Sequence, residues 1–312
     1  MSVEFPGRLW DNPQHDHLAV RSNCDVTSVV IAAHNEAAVI GRCLDALLRQ
    51  DTGDALDITV AANGCTDATV NLARQRGVRV VEVDQANKAI ALNRGDLAAF
   101  GYPRIYLDAD IEVPPGAIET LTEVLTTAVS AVAAVPRRRI DVRGRPLIVK
   151  AYFAINSRLP AFQQGLFGHG MIALSERARA RFDRFPIMVA DDLFLDSLFS
   201  PTEKISVDSV EVVVAAPWRT SDLIRRLVRV RRGNAAMRQA GREGTVSAHV
   251  RDVDRLAWLR SVVLPHPSLA PAGSVYVLIT GLATVLARRK PRLGDDWARD
   301  ETTRLARGPV GE

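Results

Sequence analysis

The chain has 312 residues, 47% hydrophobic and 24% charged, an ordinary balance for a folded protein that excludes a disordered chain, a collagen-like repeat or a disulfide-stapled miniprotein. Its formal charge is +4, and arginine carries the excess, since lysine stands only at Lys88, Lys150, Lys204 and Lys290. Cys24, Cys43 and Cys65, without CxxC spacing, argue against a disulfide framework or a thiolate zinc site and for a reducing, cytoplasmic setting.

Met1 to Val20 mixes acids, histidines and prolines without an apolar segment, so no signal peptide is expected, and residues 1–25 are predicted to form an arm. Val26 to Ala33 is a β-branched apolar run and is predicted to be a buried strand. A polar turn, His34-Asn35-Glu36, leads into a segment whose apolar residues Val39, Ile40, Cys43, Leu44, Leu47 and Leu48 recur at helical spacing. Asp57 to Ala62 is the next strand; it ends on Asn63-Gly64-Cys65-Thr66-Asp67, before a helix over Ala68 to Arg76 and a strand over Val78 to Val83. Lys88 to Phe100 is predicted to be helical, and Arg104 to Leu107 a strand that delivers Asp108-Ala109-Asp110. A helix follows from Pro114-Pro115 to about Val129. Strands alternating with helices predict an α/β fold with a mostly parallel sheet covered on both faces. In such sheets ligands gather at the carboxyl ends of the strands, which is where the three polar loops stand.

Beyond Ala131 the alternation weakens. A strand over Ala131 to Pro136, an arginine-rich connection over Arg137 to Arg145 and an apolar helix from Leu147 are predicted. Phe167-Gly168-His169-Gly170-Met171 has the composition of a tight turn into a short strand, Asp191-Asp192 opens an amphipathic segment, and Val210 to Ala216 is a strand. Mostly helix is expected from Leu223 onward. Ser261 to Ala287 lacks charge apart from any on His266; prolines and Gly273 interrupt its first half, and the unbroken remainder is shorter than the roughly 20 residues of a bilayer span. A core or interfacial helix is therefore expected, and Arg288, Arg289 and Lys290 after it suit either anionic headgroups or a solvated helix end.

Asp108 and Asp110, two apart at a strand end, have the spacing to share one hard divalent cation with the phosphate oxygens of a nucleotide, although acids in a surface turn are common. A helix N-terminus near Lys88 offers backbone N–H groups to phosphate or ribose.

Taken together, these elements resemble the inverting family 2 glycosyltransferases of the GT-A fold, over roughly Val26 to Pro217. The segment from Val29 to Gln50 is similar to the family's opening strand, loop and first helix, with Ala32 where proline is usual. Ala62 to Thr69 resembles its second loop, Asn87 to Gly95 its lysine-asparagine element, and Leu107 to Leu121 its metal-binding Asp-x-Asp and following helix. The resemblance implies a Rossmann-like catalytic domain over residues 26–218, and a mainly helical region over 219–312 that packs on the core or touches a membrane. It further implies single-displacement transfer of a sugar from a nucleotide donor, assisted by Mg²⁺ or Mn²⁺, to a small or lipid-linked acceptor.

Residue by residue, it implies that Ala33, His34, Asn35, Glu36 and Asn63 surround the base, that Lys88 and Asn93 lie near the nucleotide, and that Asp108, Ala109 and Asp110 meet ribose and metal. Gly168, His169 and Gly170 fall on the acceptor side. Asp192 takes the role of general base, with Asp191 as orienting partner or substitute. Arg231 and Arg232 are the candidates for the leaving diphosphate. The resemblance favours a UDP-sugar donor, but Ala62 stands where the family's first acid often meets uracil and Asn63 where its second stands, which leaves a GDP-sugar as the alternative. The Gln-x-x-Arg-Trp motif of processive relatives is absent, which predicts a non-processive enzyme. Nucleotidyl transfer on the same fold lacks its phosphate loop here, and with aromatics at 5% nucleic acid is not an expected partner. Peripheral contact at the inner face of the cell membrane is the remaining partner expectation.

Overall fold

Strand β1 (Val26–Ala33) is buried along almost its whole length, as a mainly apolar strand covered on both faces should be. In a computed structural model describing residues 26–52, 55–188, 190–244 and 254–289, it lies near the middle of a seven-stranded sheet. The other strands are β2 (Ala55–Asn63), β3 (Arg79–Val83), β4 (Arg104–Asp108), β5 (Ala133–Asp141), β6 (Met171–Leu174) and β7 (Lys204–Ala215), in the order β3-β2-β1-β4-β6-β5-β7. Strands β1 to β4 are parallel, β6 runs antiparallel between β4 and β5, and β5 and β7 are parallel. The expected arm over 1–25, with Cys24, lies outside the described residues, as does Lys290.

Register decides where the polar loops go. Ala33 pairs with Ala62 and Ala32 with Asp108, so the chain leaves β1, β2 and β4 at one edge of the sheet. Because β6 is antiparallel and Met171 pairs with Leu107, the turn before β6 arrives at the same edge. The Asp108 N–H donates to the Gly170 carbonyl at 2.8 Å, fastening the two together.

The helices cover both faces. Helix α1 (Ile40–Leu48) buries Ile40, Cys43, Leu44 and Leu47, and α2 (Thr69–Arg74) follows the second loop. Helix α3 (Lys88–Ala98) starts on Asn87, whose side chain accepts from the Ile90 N–H at 3.1 Å as an N-cap should. Buried Asp96 near its end accepts hydrogen bonds from Arg104, Tyr106 and Arg179, joining α3, β4 and α7 (Glu176–Arg179). Helices α4 (Ala117–Thr127), α5 (Leu147–Asn156), α6 (Pro160–Gln164) and α8 (Asp191–Ser197) complete the main layers. In α8, Asp196 forms a buried ion pair with Lys204 at 2.8 Å.

Two expectations are corrected. The arginine-rich segment after Pro136 is not a connection: β5 runs on to Asp141 beside a lengthened β7. Arg137 and Arg139 alternate outward onto the Glu211 carboxylate of β7, each at 2.6 Å, so the charges form a cross-strand ladder instead of breaking the strand. The apolar C-terminal segment is also longer than its prolines suggest. Helix α10 (Ala270–Arg288) runs for 19 residues, because Pro271 occupies the first turn, where a missing N–H costs no helical bond. Helix α9 (Thr220–Arg242), from the region expected to pack on the core or touch a membrane, buries Met237 in the same cluster as Phe185 and Phe194, and packs against α10.

Candidate active site

A cavity of about 570 Å³ opens at the loop-bearing edge of the sheet, within the size range of small-molecule sites. His34 and Glu36 from the first loop, Asn63 from the second, and Asp108, Ala109 and Asp110 from the third all line it. Lys88, Gly168, Gly170, Asp191 and Asp192 join them. Six separate stretches of sequence are thus brought together at this edge of the sheet.

Lys88 is the electrostatic link. From the first turn of α3 its Nζ donates to Asp108 Oδ1 and lies equally close to Asp191 Oδ2, both at 2.9 Å, so one ammonium joins the end of β4 to the start of α8. Burial works against that charge, but the carboxylates of Asp108 and Asp191 outweigh it and hold the Lys88 pKa above its ordinary value.

Asp192 has the opposite character. Burial, and next the neighbouring Asp191 charge, push its pKa up from 3.8 to about 6, while Lys88 pulls it down. Its Oδ2 accepts from the Gly168 N–H at 3.1 Å and its Oδ1 from the Leu193 N–H at 2.8 Å, so the carboxylate is aimed at the glycine turn. That turn needs its glycines. Gly168 and Gly170 have φ of +77° and +73°, and a Cβ on Gly170 would lie 2.7 Å from the Ile111 side chain.

Asp108 and Asp110 present a pair of hard oxygen ligands to the open cavity. Among the described residues no group of three or more His, Cys, Asp or Glu forms a cage for a metal. Two carboxylates at a strand end suit Mg²⁺ or Mn²⁺, which fill their remaining positions with phosphate oxygens and water.

Several expected contacts point elsewhere. Ala33 is fully buried, with its carbonyl taken by the Cys65 thiol at 3.4 Å, and Ala32 lines the cavity in its place. Asn35, at φ +52°, uses its side-chain carbonyl to accept the Thr66 N–H at 2.8 Å, tying the first loop to the second. Asn93 is a clamp, donating to the Phe185 carbonyl at 3.0 Å and accepting the Phe185 N–H at 2.7 Å, so it fixes the wall from behind. The His169 ring is buried between the carbonyls of Pro136 and Phe162, and burial lowers its pKa. It holds the glycine turn in shape without lining the cavity. Arg231 and Arg232 face α10: Arg231 bonds Thr284 at 3.0 Å, and Arg232 bonds the Ala287 and Arg289 carbonyls.

The arginines that do reach the cavity are Arg226 and Arg229, with Val230 and Asn234 on the same side of α9. Arg138 stands behind Gly168, stacked 4.1 Å from the Phe162 ring centre, and burial together with the Arg226 guanidinium lowers its pKa to about 10. Asn87 is a further lining residue that motif reading passed over; its N–H donates to Asn63 Oδ1 at 2.6 Å. An asparagine just before a helical run is the N-cap signal that would have pointed to it.

Comparison with known proteins bears on the fold that carries this cavity. Residues 28–178 match the sequence profile described as Glycosyl transferase family 2. An uncharacterized glycosyltransferase, YibD of Escherichia coli (strain K12), is 34% identical over 99 residues, a match covering 30% of this chain and just over a quarter, 28%, of that relative. The mannosyltransferase PcManGT from Pyrobaculum calidifontis, solved with GDP-Man and Mn²⁺, superposes with a TM-score of 0.52 at 20% identity, over 84% of this chain and 78% of that one. Glucosyl-3-phosphoglycerate synthase from Mycobacterium tuberculosis, solved with Mn²⁺, UDP and glucosyl-3-phosphoglycerate, gives 0.52 at 23% identity, over 69% and 79%. The sheet and its flanking helices therefore have the GT-A fold, and residues 28–178 are similar to the glycosyltransferases of family 2.

Proposed function

We propose that the protein transfers a sugar from a nucleoside diphosphate donor to an acceptor hydroxyl by single displacement with inversion, without processivity, and that Asp192 is the general base. The observation that carries this reading is the placement of Asp192 in the same cavity as Asp108 and Asp110, with a pKa raised to about 6. A carboxylate of that basicity is mostly ionised at neutral pH yet a far better proton acceptor than an ordinary aspartate, which is the match that general base catalysis needs.

In this scheme His34, Glu36, Asn63 and Asn87 frame the nucleoside, and the glycine turn admits the acceptor beside Asp192. Asp192 takes the proton from the acceptor hydroxyl as its oxygen forms a bond to the anomeric carbon. The bond from that carbon to the diphosphate oxygen breaks on the opposite face, and its electron pair leaves with the nucleoside diphosphate. Mg²⁺ or Mn²⁺, held by Asp108 and Asp110, would supply Lewis-acid neutralisation of the departing diphosphate. Arg226 and Arg229, in place of Arg231 and Arg232, add fixed positive charge from α9. Lys88 holds Asp108 and Asp191 at a set separation, which makes Asp191 the orienting neighbour of the base. UDP- and GDP-sugars are the donor candidates; of the two structural relatives above, one was solved with UDP and the other with GDP-Man.

The test is a melting series with UDP and GDP, each with and without Mn²⁺, followed by transfer assays on UDP- and GDP-sugars. A ligand at a hundredfold excess over its Kd adds about 2.7 kcal/mol to stability, so binding shows as a clear rise in melting temperature. The rise should require Mn²⁺ and vanish in Asp110→Ala. A nucleotide-dependent rise that Asp110→Ala leaves intact would remove the metal assignment, and no rise with any nucleotide would remove the donor assignment.

A further inference from the structure

Helix α10 stays apolar where a helix of a water-soluble protein ordinarily turns polar. About 28 Å long by helical rise, it packs Gly273, Ile279 and Ala283 inward and stacks Tyr276 on Tyr152 of α5, with ring centres 5.3 Å apart. Its outer stripe is Leu278, Leu282 and Val285, spaced by four and three residues, and Leu278 is 72% exposed. Helix α5, packed along α10, adds Leu147, 81% exposed, and Ile148; Leu264 adds another large apolar side chain just before α10. Pro267–Arg288 has the length and apolarity of a membrane-crossing helix, and with 17% of its most apolar window buried inside the protein it is not a core helix. A contiguous exposed patch of this kind marks a binding surface rather than ordinary scattered exposure.

Charge identifies what covers it. The α5 stretch from Val142 to Ser175 contains no Asp or Glu, and neither does the stretch from Arg255 to Arg289. Lys150, Arg158, Arg260, Arg288 and Arg289 are exposed around the apolar residues. A second copy of this chain docked symmetrically on the face would bring these cations against one another. A bilayer with anionic headgroups offers both the apolar phase and the opposite charge. We propose that this face rests on an anionic lipid surface, with α10 lying in the interfacial plane. A full crossing would strip α10 from α5 and α9 and break the bonds from Arg231 to Thr284 and from Arg232 to the Ala287 and Arg289 carbonyls, leaving polar groups in hydrocarbon. Since α9 turns Arg226 and Arg229 to the cavity and packs on α10 with its other residues, the lipid surface would lie one helix away from the site.

The test is flotation of the full chain with phosphatidylcholine vesicles and with vesicles in which phosphatidylglycerol replaces part of the phosphatidylcholine. At least tenfold more protein should float with the anionic vesicles, and added salt should reduce that excess. Leu278→Asp with Leu282→Asp should lose binding to both kinds of vesicle. Arg288→Glu with Arg289→Glu changes only exposed side chains and should lose the preference for anionic vesicles alone, which keeps the test decisive if the first variant fails to fold. Equal binding to the two vesicle types, wild-type protein that never floats, or a dimer in light scattering that Leu278→Asp dissolves would each overturn the proposal. Flotation needs no turnover, so its outcome is independent of the transferase reading.

Discussion

The cavity has two ends with opposite electrostatics. At one end, carboxylates from β4 and α8 are already wired together, because Lys88 engages both Asp108 and Asp191. At the other, Arg226 and Arg229 of α9 line the cavity, while Arg138, outside the lining and behind the glycine turn, bonds the neutral Gly168 carbonyl and Asn156 side chain, each at 3.3 Å. The first end is preset to hold a cation and to manage a proton. The second is cationic through Arg226 and Arg229, which suits an incoming anion. A diphosphate between a metal and a base, with its charge spreading toward α9, would use both.

The largest expected effect comes from breaking the carboxylate end. Asp192→Asn should cut turnover by about 10²–10⁴-fold in a transfer assay while leaving the nucleotide-dependent rise in melting temperature intact. The same variant should melt a few degrees higher than wild type at pH 7.5. Burial raises the folded pKa of Asp192 above its unfolded value, so this group favours the fold at low pH and that contribution is lost as pH rises through about 6; a neutral amide avoids the loss. Breaking the cationic end should cost less. Arg226→Ala removes one charged contact, worth about 1.5–3 kcal/mol, so kcat/KM should fall roughly 10–100-fold in steady-state assays. The pH profile sharpens the contrast. Turnover should fall on the acid side through about pH 6 as Asp192 takes up a proton, and Lys88→Met should move that limb to higher pH, since Lys88 is the group that pulls the Asp192 pKa down. The smallest effect is expected at Arg231→Ala, which should leave turnover within about threefold of wild type because the side chain faces Thr284 on α10.

The two ends also differed in how plainly the sequence announced them. The carboxylate end stands on loops that directly follow β1, β2 and β4, and a parallel sheet must gather such loops at one edge whatever else the fold does. His34, Asn63, Asp108 and Asp110 could therefore be placed from strand ends alone. Asn35, Asn93 and His169 belong to the same motifs but serve as braces, and a polar side chain that ties two backbones together has the same signature in sequence as one that awaits a ligand. The cationic end depends on the rotation of α9. Arg225 to Arg232 holds arginine on nearly every side of that helix, so only the packing of α9 on α10 decides that Arg226 and Arg229 face the cavity while Arg231 and Arg232 face away. The strand through Arg137 and Arg139 was hidden for a related reason: its partner charge, Glu211, lies on another strand far along the chain.

A base on one face of the anomeric carbon and a leaving diphosphate on the other require one displacement, so the stereochemistry of the product is the most direct measure of whether Asp192 works as assigned. The proton coupling at the anomeric centre, read by NMR on the first product formed from an α-linked nucleotide sugar, should report a β linkage. An α linkage in that product would contradict single displacement and with it the role of Asp192.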